Sequence, residues 1–523
     1  MKKINFLVLI LFGIYLYFTI SSLINIDWLA DEVYHIRFIN EWFLTHFKDY
    51  FFQLEHNIYP PKSPEFGNPP LAMFLMTFGM FIGNFFNISY LYSARLINLV
   101  AGSFSFFLIY LICKEAYKGS TKYFSLILYI TFPALIVINS TAYLDAILIT
   151  LSLLYYYTFI LFLKTESKKY FILTSIIAGL AFITKYQFIM MFLPSFIIFY
   201  PRVKKIIRNK QTFLFYFIYI YLTAAVIWAG IRDLNHMLRV FASLSGFAIG
   251  NVTEVGGMFS DYTPLTGGVL NNYAYYFIIL IGKSPISVLM GFILLIIGLL
   301  FFGKKYFNKD EIYFSFVFFV ILIFHLLIFG VIGGVPNSIH RISMVLPFFV
   351  ILSGFGYELV TRWINGLFNI KITIFLAALI LILTLIPIIA LSSNYYNSYS
   401  NNLDKMYNFD KHLYINGDGE GLSEAAQWIV NNNLSDKNIA IVRHRFLMLE
   451  YLPNGHFYDF PMTEGYNYIG ERNIDYVVIH RAHTTGGLKP VFLQDKQHFE
   501  ILYTIKTNLG EDLVYIYKVK SIG

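Results

Sequence analysis

"NPPLAMFLMTFGMFIGNFF", residues 68–86, is the stretch on which the fold of this chain turns. It is apolar enough to cross a bilayer, and whether it crosses decides the side on which every later loop falls. The surrounding sequence of 523 residues is 57% hydrophobic and 19% aromatic but only 13% charged, against roughly 25% charged in soluble domains. That deficit, spread over many long apolar runs, describes a polytopic α-helical membrane protein. A spanning helix needs about 20 apolar residues, and 4–24, 96–113, 123–144, 146–163, 212–231, 286–303, 312–335, 342–357 and 372–391 supply them. The run 170–200 is too long for one span and contains Lys185, a residue type that costs about 2.5–3.5 kcal/mol at a span centre. It reads as two short helices with Lys185 at the turn between them, giving about eleven spans in all.

The positive-inside rule settles 68–86. If that segment crosses, Lys164, Lys168, Lys169 and the basic run 201–210 fall outside, against the rule. If it stays at the surface, those lysines face the cytoplasm together with Lys2, Lys3, Lys114, Lys118, Lys304 and Lys305. The segment is therefore expected in the interface, as a helix opened by Pro69-Pro70. The N-terminus is then cytoplasmic, and residues 25–95 form a long first exterior loop. Asp145 lies in the second exterior loop, Lys185 in the third, 232–285 make the fourth, and His340-Arg341 lie in the fifth. A transmembrane domain over 1–391 leads into an extracytoplasmic domain over 392–523. The sequons at Asn87, Asn139, Asn251 and Asn433 all fall outside, although Asn139 is close to the membrane. A net charge of +8 is then membrane-flanking lysine rather than a nucleic-acid surface. Cys113 is the sole cysteine, which excludes an internal disulfide. The N-terminal run has no small-residue cleavage site and is expected to stay as an anchor.

The tail reads as a small α/β domain. "SEAAQWIVNNN" predicts an amphipathic helix with Ser423 as its N-cap. "NIAIVRH", "IDYVVIH", "FEILYTIK" and "LVYIYKV" read as strands. "GDGEGL", 417–422, lacks the spacing of a phosphate loop and predicts a turn before the helix.

Sorted by side, the ionisable residues gather at one face. Asp27, Asp31, Glu32, Glu41 and Asp145 stand there with Arg37, Arg95, Lys185, Lys283, His340 and Arg341. Within the spans as drawn His325 is the one ionisable side chain apart from tyrosine and cysteine. A coupled transporter keeps ionisable groups near the midplane, so this distribution points to chemistry at the outer surface. Transfer from a lipid-phosphate donor needs both kinds of group. A carboxylate takes the proton of an attacking hydroxyl, and cations stabilise the charge gathering on the leaving phosphate. The bland readings stand beside this one: Asp31-Glu32 as a solvated helix start, Arg95 as an interfacial anchor, and Lys283 as a residue ahead of a helix at Ser284-Pro285.

"DEVYH", "NPPL", "SARL", "YLDA", "TKYQ", "YYFIILIGKSP" and "IHRISMVLP" occur in this order over residues 1–360. The pattern resembles the integral-membrane glycosyltransferases of the C superfamily (GT-C), specifically the protein O-mannosyltransferase and lipid A aminoarabinose transferase group. That resemblance implies an inverting transferase that uses a polyprenyl-phosphate sugar as donor and a hydroxyl on protein, lipid or glycan as acceptor. It implies Asp31 as base, Glu32 as its partner, and Asp145 as an acid that positions acceptor or base. Arg95, Lys185, Lys283 and Arg341 match basic positions that bind the donor phosphate. Asn68 departs from the family, which often has a basic residue before Pro-Pro-Leu, and structural zinc is not expected. No cofactor is expected either; a divalent metal stays open, since Asp31 and His35 alone do not make a site. A lipid-linked oligosaccharide flippase or polymerase would share this topology but needs a charged, two-sided cavity. A receptor anchored by the spans would leave Asp31 and Asp145 without a role.

Overall fold

The computed structural model describes residues 6–29, 32–33, 35–36, 39, 71–188, 190–192, 194–195, 197–198, 276–277, 279–301, 306–332, 339–368, 373–391, 396, 399, 419–442, 445–460, 465–480, 495–508, 510 and 512–520. Its helical part comprises α1 (Phe6–Asn25), α2 (Leu71–Phe85), α3 (Tyr90–Ala116), α4 (Thr121–Ile130), α5 (Pro133–Ser140), α6 (Asp145–Thr165), α7 (Lys168–Phe182), α8 (Ile286–Phe301), α9 (Lys309–Ile332), α10 (Leu346–Phe368) and α11 (Thr373–Ala390). Among the described residues, five helices are long and apolar enough to cross a membrane, and the bent pair α4–α5 brings the number to six. Large apolar side chains stand exposed along α1, α2, α8 and α11, as a lipid-solvated surface requires. This is a multi-pass membrane protein. The expected span at 212–231 lies outside the described residues.

Three features depart from the reading of apolar runs. The expected span 123–144 is a broken helix, bent by 68° between α4 and α5. Pro133 is the cause: it has no N–H to donate and holds Phe132 extended, at φ −96° and ψ 104°. Asn139, the sequon expected outside, is fully buried in α5 with its amide donating to Tyr129 Oη at 2.9 Å. Third, α9 and α10 run beyond their apolar segments and take in Glu311, Glu358 and Arg362.

At 15 residues, α2 falls short of a span. It packs on α3 through Gly79 and Gly83: a Cβ on Gly79 would collide with Ile97, and one on Gly83 with the Ser93 side chain. This is the close approach that a small-xxx-small pattern permits. The turn expected at Lys185 is present, between α7 and a 3-10 turn at Tyr186–Phe188. α10, buried from Leu346 to Leu359, runs through the centre, where Gly354 lies against Ser125 of α4 and Gly356 against Gly291 of α8.

The bundle has two chemically different ends. At one end, Arg362 donates to Glu311 at 2.8 and 2.9 Å and to Glu358 at 2.9 Å. It also reaches the carbonyls of Tyr306 and Lys118. The same carboxylates accept from the backbone N–H of Lys118 and Ser120. Lys164 pairs with Glu115 at 2.9 Å at the C-terminal ends of α6 and α3. The opposite end, where α1 and α7 finish and α3 and α6 start, carries the candidate site.

The C-terminal part comprises α12 (Leu422–Asn431), β1 (Ile439–Ile441), α13 (Arg445–Tyr451), β2 (Phe457–Asp459), α14 (Gly465–Arg472), β3 (Tyr476–His480), β4 (Phe499–Lys506) and β5 (Asp512–Val519). The sheet order is β2-β1-β3-β5-β4, with β1 parallel to β2 and β3 and a β4–β5 antiparallel pair closing one edge. All the expected strands are present. Ser423 is not the N-cap: α12 starts at Leu422, its N-cap is Gly421 at φ 84°, and that residue has no side chain to cap with. The expected turn is built on Gly419 and Gly421, both at positive φ.

Candidate functional site

Of the "DEVYH" stretch the structure describes Glu32, Val33 and His35; Asp31, Arg37 and Glu41 lie outside the described residues. Glu32 is wholly buried. Its Oε1 accepts from Arg95 Nε and from the Ala142 N–H, both at 2.7 Å, and its Oε2 accepts from Arg95 Nη2 at 2.7 Å. Arg95 projects from the first turns of α3 and is 1% exposed. Its remaining N–H groups go to the carbonyls of Leu23 at 2.8 Å, Ile26 at 3.2 Å and Asp27 at 3.1 Å. This is the fork geometry that only a guanidinium supplies. Arg95, expected on the donor phosphate, therefore spends its hydrogen-bonding capacity inside the protein, on Glu32 and on the end of α1.

Residue 142 is held twice. Its N–H donates to Glu32, and its carbonyl lies 3.0 Å from His35 Nδ1. Asn98, one turn along α3 from Arg95, donates to the carbonyls of Thr141 and Tyr143. The 141–144 connection is thus fixed from two sides, and α6 begins directly after it with Asp145.

Asp145 is buried at the positive end of the α6 dipole. Lys185 Nζ sits 3.1 Å from each of its carboxylate oxygens, and Ser343 Oγ donates to Oδ1 at 2.7 Å. Ser343 belongs to the 3-10 segment Ile339–Val345, whose backbone includes His340 and Arg341; the side chains of those two lie outside the described residues. Lys283 is buried just ahead of Ser284-Pro285.

The structure thus brings the expected residues together as two pairs, Glu32 with Arg95 and Asp145 with Lys185, joined through the 141–144 connection. Sequence reading did not single out Ser343 or Asn98. Ser343 lies within "IHRISMVLP" and Asn98 two residues past "SARL", but a hydroxyl or amide in an apolar run gives no signal of its own. Among the described residues, no group of three or more His, Cys, Asp or Glu could hold a metal ion.

Residues 67–228 match the profile of the dolichyl-phosphate-mannose-protein mannosyltransferase family. The apo oligosaccharyltransferase of Archaeoglobus fulgidus superposes with a TM-score of 0.50 over 93% of this chain and 71% of its own, at 12% identity. The chain shares the fold of this membrane enzyme. ArnT of Cupriavidus metallidurans bound to undecaprenyl phosphate aligns over 97% of both chains at 11% identity, with a TM-score of 0.47. The arabinofuranosyltransferase AftD from mycobacteria covers 98% of this chain and 40% of its own at 10% identity, with a TM-score of 0.43. No curated protein matches the chain significantly. The family profile spans α2 to α7, and so includes Arg95, Asp145 and Lys185.

Proposed function

We propose that this protein is an inverting glycosyltransferase that moves a sugar from a polyprenyl-phosphate donor to a hydroxyl acceptor at the extracytoplasmic face of the membrane. The observation that carries this reading is the buried Glu32–Arg95 and Asp145–Lys185–Ser343 network within a C-superfamily fold. The network ties the loop bearing Asp31 to the segments bearing Lys185 and Arg341. The matching family's name, which specifies a dolichyl-phosphate sugar, supports a lipid-phosphate donor.

In the proposed reaction Asp31 takes the proton of the acceptor hydroxyl as its oxygen attacks the anomeric carbon. The bond from that carbon to the phosphate oxygen breaks, and the lipid phosphate leaves with the electron pair. Arg341 and Lys283 bind that phosphate. Lys185 keeps Asp145 and turns its remaining N–H to the phosphate. Glu32 and Arg95 act by position: they hold the segments that flank Asp31 in sequence, and misplacement of a catalytic group by about 1 Å can cost 100-fold in rate. Asp145 aligns Lys185 and the 3-10 segment of Arg341. The lipid tail lies against apolar helix faces, which need no polar residues.

Incubating membranes that contain the protein with a panel of polyprenyl-phosphate sugars, and weighing the products, tests the reading. A product heavier than its acceptor by one sugar, with free polyprenyl phosphate released, is expected. Transfer from a nucleotide sugar alone would reject the donor class.

A further inference from the structure

The C-terminal part of the chain returns to the beginning of the first loop. Asp27 follows α1, and its Oδ2 accepts from the Gly421 N–H at 2.8 Å. Ser423 is close enough to the same carboxylate to favour its charged form. The Gly421 N–H is one of the unsatisfied donors at the start of α12, a helix whose own N-cap residue is a glycine. A carboxylate 394 residues away in sequence does the work of the missing cap. The adjacent Trp28 N–H donates to Tyr451 Oη at 2.9 Å, at the end of α13. Its carbonyl lies so near Gly419 that a Cβ there would stand 2.5 Å away.

The other side of this stretch is held by the site. Arg95 donates to the carbonyls of Ile26 and Asp27 while gripping Glu32. Residues 26–28 are therefore clamped between the Glu32–Arg95 pair and the α/β domain, immediately ahead of Asp31. Burial raises the Asp27 carboxyl above the usual range against the pull of Ser423 and of the Gly421 hydrogen bond, and neighbouring Glu424 pushes it the same way as burial. An amide oxygen can accept the Gly421 hydrogen bond in the same way.

We propose that Asp27 is a positioning residue: by capping α12 it docks the C-terminal α/β domain on the first loop, and the docked domain sets the rate of transfer by holding the segment that leads to Asp31. This rests on the function proposed above. It gives the domain a part in turnover without any contact with substrate.

The test uses the full-length protein in nanodiscs, with Asp27→Ala, Asp27→Asn and Tyr451→Phe. Hydrogen exchange is measured over peptides 26–36 and 419–431, and transfer is measured at varied donor concentration. Asp27→Ala is expected to speed exchange in both peptides while the β4–β5 pair stays protected. It should lower kcat about 10- to 100-fold with donor KM unchanged. Asp27→Asn, an equally good cap, should restore both readouts. Tyr451→Phe should move them the same way by a smaller step. Exchange in 26–36 that stays at the wild-type level in Asp27→Ala, or an Asn variant as slow as the Ala variant, would overturn the proposal. A wild-type protein that transfers from no donor would overturn the functional reading and the rate claim with it, while the exchange arm would still decide docking.

Discussion

Arg95 shows how a single side chain organises this end of the bundle. A buried guanidinium bonded to Glu32 and to three carbonyls joins α1, α3 and the first loop. Removing one partner of such a pair leaves an uncompensated buried charge, at a cost of about 3–5 kcal/mol. Arg95→Ala should therefore lower the thermal midpoint sharply. Arg95→Lys should recover only part of it, because an ammonium cannot reproduce the fork. A lysine variant as stable as wild type would show that charge alone suffices. The sequence revealed the cast but not the pairing. Glu32 and Arg95 are 63 residues apart, Asp145 and Lys185 are 40 apart, and Ser343 stands 198 from Asp145. Nothing local says which cation meets which acid, so Arg95 read as a phosphate ligand when the fold commits it to Glu32.

Among the described elements, most apolar runs of the right length are helices, and Lys185 marked its turn correctly because a lysine is costly inside a span. The α4–α5 break was written in Pro133 but hidden by uninterrupted hydrophobicity. The cap of α12 was illegible, because its carboxylate comes from the other end of the chain. The α2–α3 contact offers a test at this scale. Gly83→Leu would drive a side chain into Ser93, while Gly13 of α1 has nothing within 4 Å of a Cβ. Gly83→Leu should cost about 1–3 kcal/mol of stability through overpacking, with Gly13→Leu close to neutral in the same detergent unfolding assay. Equal effects would mean that α2 does not depend on close approach to α3.

Over the molecule as a whole, the described charges of the helical part are sorted by end. Glu32, Arg95, Asp145 and Lys185 collect where α3 and α6 begin. Glu311, Glu358 and Arg362 close a clasp against the 118–120 turn at the far end, in company with the Lys164–Glu115 pair. The clasp charges are consumed by one another and by backbone groups, so they do not form the open, charged cavity that a flippase would use. In the proposed function the clasp end faces the cytoplasm. Reporter fusions at 114–122 should be active there, and an exterior signal would invert the membrane assignment and remove the proposed base from its substrate. The sugar-transfer step itself is tested most directly by single turnover of a pre-bound polyprenyl-phosphate sugar, comparing wild type with Asp31→Asn. The account predicts that donor binding is retained while the transfer rate falls by a factor of about 100 or more; transfer at the wild-type rate would contradict it.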